Sequence, residues 1–99
     1  MENVDLVETF NYLLGLEVDK IQQHEDQGRK YVAVFGRQNG KKTAVVWRAI
    51  KGLDKRKDKK FIEAEVLKDY KPERIFVNGD SAVERAEPVE IEFKRRMGA

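Results

Sequence analysis

The sequence predicts an α+β domain: a small mixed sheet of about four to five strands, a size typical of sheets, with two or three helices packed on it. Three observations lead there. Two apolar runs rich in β-forming residues flank an Asn-Gly turn, which marks an antiparallel hairpin. Apolar residues recur at helical spacing before and after that hairpin. A further short apolar run then completes a strand–helix–strand order, which permits a parallel crossover.

The first element is an amphipathic helix over residues 4–14. Asp5-Leu6-Val7-Glu8 resembles a capping box with Asp in place of Ser or Thr. Leu6, Phe10 and Leu13 follow at helical spacing, with Val7 and Leu14 beside them, and Gly15 is a natural stop. Leu16 to Gln23 mixes Leu16, Val18 and Ile21 with charged residues and reads as an edge strand, where charge discourages further pairing. His24-Glu25-Asp26-Gln27-Gly28 is a polar turn.

The hairpin is the clearest part, residues 30–36 with 42–49. Val32 and Val34 point one way and Tyr31, Ala33 and Phe35 the other. The partner strand repeats this, with Ala44 and Val46 against Val45 and Trp47. A sheet with one wet face would alternate apolar and polar residues. Both faces here want cover, from helices of the chain or from a partner surface. The exposed-surface version makes Tyr31, Phe35, Val45 and Trp47 candidate interface residues.

The charge run Asp54–Lys60 reads as a loop, because lysines at a helix start oppose the macrodipole. The next helix carries Phe61, Ile62, Ala64, Val66, Leu67 and Tyr70, with Ile62, Val66 and Tyr70 on one stripe that Glu63 interrupts. Lys71-Pro72 ends it. Ile75-Phe76-Val77 is a short buried strand closed by the turn Asn78-Gly79-Asp80-Ser81. Pro88 opens the last element. Val89, Ile91 and Phe93 alternate as in a strand, while Val89, Phe93 and Met97 are spaced as in a helix, and both readings stand.

Length and composition bound the function. A chain of 99 residues fits one domain. Charged residues make up 38% of it, against about 25% in an average domain, and most of that surplus belongs on the surface. The balance of 20 basic and 18 acidic residues lacks the strong basic bias of a dedicated nucleic-acid binder, so DNA contact requires a local patch. No cysteine is present, hence no disulfide framework and no thiolate metal site. No apolar run approaches a membrane span, and no basic segment followed by an apolar one opens the chain, so the expected compartment is the cytoplasm.

Few residues suggest chemistry. His24 is the single histidine, placed in a polar turn, whereas a metal site needs several converging ligands. Glu63, Glu65, Lys68 and Asp80 carry the types a divalent-metal nuclease uses, but Glu63 and Glu65 lie about 200° apart on a helix. Asp80 follows a buried strand, where α/β sheets bind ligands, yet Asn78 and Asp80 are equally turn formers. No catalytic, cofactor-binding or metal-ligating residue is therefore assigned. Basic residues gather at Arg37, Lys41 and Lys42, at Lys55, Arg56 and Lys57 with Lys51, Lys59 and Lys60 nearby, and at Lys94, Arg95 and Arg96. These clusters are candidate DNA contacts, since such groups neutralise phosphates and release counterions.

Three stretches carry a resemblance. They are residues 5–16 (Asp-Leu-Val-Glu-Thr-Phe-Asn-Tyr-Leu-Leu-Gly-Leu), Val45-Val46-Trp47-Arg48, and residues 75–81 (Ile-Phe-Val-Asn-Gly-Asp-Ser). In this order they resemble the region after the catalytic domain in the modification subunits of type III restriction-modification systems, which are site-specific adenine DNA methyltransferases. Glu92-Phe93-Lys94-Arg95-Arg96-Met97 is similar to how such chains end. The resemblance implies a parent enzyme that uses S-adenosylmethionine, and as partners its catalytic domain, a second copy of this domain, and DNA. The family's Asp-Pro-Pro-Tyr-type tetrapeptide and Phe-x-Gly-x-Gly-type loop do not occur here. The expectation is thus a non-catalytic C-terminal domain, with no cofactor of its own, that supports assembly or DNA engagement.

Overall fold

The computed structural model of the chain describes residues 4–68 and 70–97, and side chains from residue 7 to 96 apart from 69. The order is α1 (Val4–Leu14), β1 (Glu17–Asp26), β2 (Arg29–Gln38), β3 (Lys41–Arg48), α2 (Lys55–Phe61) continued by a π-helical turn (Ile62–Val66), β4 (Arg74–Val77), β5 (Ala86–Pro88) and α3 (Val89–Met97). The five strands form one sheet in the order β1-β2-β3-β4-β5. Strands β1, β2 and β3 are an antiparallel meander, and β4 and β5 join it in parallel. The fold is the α+β mixed sheet that the sequence predicts.

Two tight turns make the meander. Asn39 and Gly40 both have positive φ, at 53° and 79°, as a type I′ hairpin turn requires. Gln27 and Gly28 repeat the device at 54° and 75°. The polar segment 24–28 is therefore mostly strand, and only Gln27-Gly28 turns. At Gly36 the sheet admits no side chain, because a Cβ there would run into the Glu17 carbonyl of β1.

Each sheet face is covered by the chain's own helices. On one side, α2 and its π turn pack Ile62 and Val66 onto Tyr31, Phe35, Ala44 and Val46. On the other, α1 and α3 pack Phe10, Leu14 and Val89 onto Val34, Val45 and Phe76. This corrects the interface expectation. Tyr31, Phe35 and Val45 are buried inside the domain and cannot meet a partner while it is folded. Trp47 is half-buried against Phe10. Tyr31 and Trp47 also lie on opposite faces, since Trp47 pairs with Val32. Burial of this apolar surface, at about 25 cal/mol per Å², is what the doubly apolar hairpin encodes.

The helices differ from expectation in instructive ways. Helix α1 already includes Val4 and Asp5, so Asp5 does not precede the first turn; its side chain and that of Leu6 lie outside the described residues. Its C-terminal stop is as expected: Gly15 has φ 71°, and Leu16 N–H donates back to the Asn11 carbonyl at 3.0 Å. The charge run 54–60 is helix, not loop. Asp54 caps it by accepting from Arg56 and Lys57 N–H at 3.0 and 3.2 Å, which offsets the exposed lysines. The helix then widens: Leu67 N–H reaches Ile62 O at 2.8 Å, a π turn that keeps Ile62 and Val66 inward with Glu63 in solvent. Tyr70 lies beyond the helix, its hydroxyl donating to Gly36 O at 2.8 Å. The last element is the helical alternative. Val89 is buried, Phe93 packs against the same core, and the side chain of Met97 lies outside the described residues. Pro88 closes β5, which the sequence reading lacks. No described helix is long and apolar enough to cross a membrane.

Candidate functional site

The C-terminus of α1 brings two basic clusters to one end of the domain. Its Leu14 carbonyl accepts from Gln38 Nε2 at 3.0 Å, at the tip of the β2–β3 hairpin. Its Leu13 carbonyl accepts from Arg96 Nη1 at 3.1 Å, in the last turn of α3. Both donors satisfy carbonyls at the negative end of a helix, where the Arg96 cation is also favoured. Arg37, Lys41 and Lys42 therefore lie at the same end of the sheet as Lys94, Arg95 and Arg96, with Lys41 on the face of α1 and α3 and Arg37 and Lys42 on the face of α2.

These six residues are not equally available. Glu92, only 4% exposed, holds Arg95 and Arg96 at 3.2 and 2.6 Å. Arg37 lies 4.0 Å from Asp19, and Lys42 Nζ stands 5.5 Å above the Tyr70 ring. Lys41 and Lys94 are exposed, and neither has an ion-pair partner among the described residues. The tip thus combines anchored arginines with free lysines. Beside it, Arg74 forks onto Glu87 at 3.0 to 3.2 Å, donates to Gln38 Oε1 at 2.8 Å and stacks on Phe76.

The third cluster stands apart. Strand β3 starts at the tip with Lys41 and ends at Arg48, and α2 follows from its far end. Lys55, Arg56 and Lys57 are thus separated from the tip by a strand length, roughly 23 Å at 3.3 Å per residue. Lys55 pairs loosely with Asp80 at 3.4 Å. The clusters therefore form two separate basic regions.

Among the described residues one ion pair is fully buried, and the sequence does not announce it. Arg48 and Asp58 meet at 3.0 Å, with side chains 0% and 1% exposed. Arg48 Nε also donates to both Asp58 oxygens, at 3.1 and 3.3 Å. Its remaining donors reach the carbonyls of Asn78 and Asp80, the latter at 2.7 Å. Asn78 accepts from Arg48 N–H at 2.8 Å and donates to Arg48 O at 2.7 Å. The Tyr31 hydroxyl donates to Asp58 Oδ1 at 2.8 Å. A buried pair is stable only when hydrogen bonds satisfy both partners, and here they do. The network ties β2, β3, α2 and the loop after β4 together. With both charges sealed from solvent, it is a strut and has no access to substrate.

Burial raises the Tyr31 pKa well above the ordinary tyrosine value, and the hydrogen bond to Asp58 and its negative charge raise it further. The folded chain holds that proton more tightly than the unfolded one. Stability is thus complete below about pH 10 and declines as pH rises beyond it. The urea midpoint is level from about pH 8 to pH 9 and falls from about pH 10 upward, and Tyr31→Phe removes most of that fall. Tyr70, raised mainly by burial, and Lys59, raised by its hydrogen bond to Glu63, contribute to the rest. An equal alkaline loss in Tyr31→Phe would assign it elsewhere.

The nuclease constellation is not brought together. Glu63 pairs with Lys59 at 2.9 Å on α2, while exposed Asp80 faces Lys55. Among the described residues, no three His, Asp or Glu side chains gather as a metal site would require. His24 lies on β1 beside Phe61, ring centroids 6.2 Å apart, rather than in a turn. Comparison with family models, curated proteins and solved structures finds no match to this chain.

Proposed function

We propose that this chain is a non-catalytic accessory domain of a site-specific adenine DNA methyltransferase, acting in the cytoplasm and gripping the DNA backbone with its hairpin-tip end. The observation that carries the DNA part is that the hairpin tip and the last turn of α3, each bearing a basic cluster, meet at the C-terminal end of α1. Exposed Lys41 and Lys94, with Lys42, neutralise phosphates without reading bases. Support for the methyltransferase context comes from the three stretches that carry the resemblance. They pack on one another, with Phe10 against Trp47 and Phe76, and Arg48 clasping Asn78. S-adenosylmethionine and the adenine chemistry belong to the parent's catalytic domain in this reading.

A salt titration of duplex DNA binding tests it. Counterion release predicts an affinity that falls steeply with salt, by a log–log slope of about −0.9 per phosphate. The triple change Lys41→Ala, Lys42→Ala and Lys94→Ala lowers the magnitude of that slope by about one per lysine. The triple Lys55→Ala, Arg56→Ala and Lys57→Ala at the other end leaves it unchanged. No binding at low salt, or equal losses from both triples, overturns the DNA role. Unaided methylation of adenine by the purified chain overturns the accessory role.

A further inference from the structure

The two edges of the sheet are unlike. Strand β5 is three residues long and ends in Pro88, which has no N–H to offer a further strand. Strand β1 is ten residues long, and no strand among the described residues pairs with its outer side. Natural sheets usually blunt such an edge. Here every residue from Glu17 to Gln23 is exposed, including Val18 at 43% and Ile21 at 56%. The irregularity at Asp19 sets Val18 opposite Gly36 and Ile21 opposite Val34. Both apolar side chains therefore project on the face that α1 and α3 cover elsewhere.

The charge on β1 says what fits beside it. Glu17, Asp19, Glu25 and Asp26 stand against the single cation Lys20. Its one neighbour, β2, answers with Arg37, Lys30 and Arg29 opposite Glu17, Glu25 and Asp26. Yet only Asp19 reaches an ion pair, at 4.0 Å, among the described residues. A second copy of β1 would add four more carboxylates, and like charges facing each other across strands are destabilising.

We propose that the open edge of β1 accepts an extended, lysine- or arginine-rich segment of a partner protein as a sixth strand. Main-chain hydrogen bonds supply the pairing, and alternate side chains supply the selection. Basic residues of the guest meet the β1 carboxylates, and its apolar residues meet Val18 and Ile21. This surface borders the basic tip at Asp19 and Arg37, but the proposal does not rest on DNA binding.

The test uses two capped synthetic peptides of eight alternating residues, Lys-Val and Glu-Val, added to the labelled chain. The Lys-Val peptide is expected to shift and protect from hydrogen exchange the backbone amides of β1, at an affinity at least tenfold above Glu-Val. The exposed changes Asp19→Lys with Glu25→Lys, and separately Ile21→Ser, each weaken Lys-Val binding at least tenfold while the unbound spectrum stays folded. Equal binding of both peptides, protection away from β1, or no binding at millimolar peptide overturns the proposal. So does sedimentation showing a dimer that Ile21→Ser dissolves, which would make a second copy the occupant.

Discussion

Asp58→Ala destabilises the domain by about 3–5 kcal/mol, because it leaves the Arg48 guanidinium buried and uncompensated. It also strips the Tyr31 hydroxyl of its acceptor. Arg48→Ala costs a similar amount by stranding the carboxylate and freeing the loop carbonyls of Asn78 and Asp80. Domains hold only about 5–15 kcal/mol in total, so either variant sits close to unfolding at physiological temperature. The double variant Arg48→Met with Asp58→Leu behaves differently. It removes both charges together and regains the part of the loss that comes from a stranded charge, while the Tyr31 hydroxyl and the loop carbonyls stay unpaired. Urea midpoints of the three proteins check this. Single variants within about 1 kcal/mol of the parent would mean that water reaches the pair and that it is no strut.

Phe10→Ala is the second large effect, at about 3–5 kcal/mol. Phe10 is fully buried and is the hub of the face shared by α1 and α3. Its ring lies 5.8 Å from Trp47 and 5.7 Å from Phe76, edge-on to both, and 5.9 Å from Phe93, stacked. Truncation empties the centre of that cluster and forfeits aromatic contacts from three elements at once. Tyr12, on the same helix but 84% exposed, is the control. Tyr12→Ala changes stability by no more than about 0.5 kcal/mol. Thermal midpoints separate the two, since about 1 kcal/mol shifts a domain of this size by about 4–8 °C. Comparable midpoints would show that α1 is only loosely docked.

The parts readable from sequence are those where one signal dominates. Asn39-Gly40 fixes the hairpin, and its doubly apolar strands demand two covered faces. The source of the cover was open because burial against a helix and burial against a partner leave the same pattern. Asp58 was hidden for a similar reason. It sits among Lys55, Arg56, Lys57, Lys59 and Lys60, and charge usually means solvent. Its spacing was the available clue: Asp58, Ile62 and Val66 lie at i, i+4 and i+8, which puts the carboxylate on the buried stripe. The basic clusters were visible individually. Their grouping was not, because it depends on where α3 ends relative to the hairpin, a tertiary fact set by Leu13, Leu14 and Gln38. Strand β5 is not legible in the sequence, because three residues carry too little pattern.

Helices α1 and α3 share one core from opposite ends of the sequence, and Arg96 meets Leu13 across 83 positions. The meander β1–β3, joined by two-residue turns, involves only neighbours along the chain and suits early formation. The aromatic hub cannot close until the last helix arrives, after the entropic cost of a long loop has been met. During synthesis, which delivers the N-terminal part first, Phe10 and Leu14 can settle on Val34, Val45 and Trp47 of the meander, but the side that Val89 and Phe93 cover stays open until α3 emerges. That interval, rather than the finished domain, is when the chain is most exposed to mispairing.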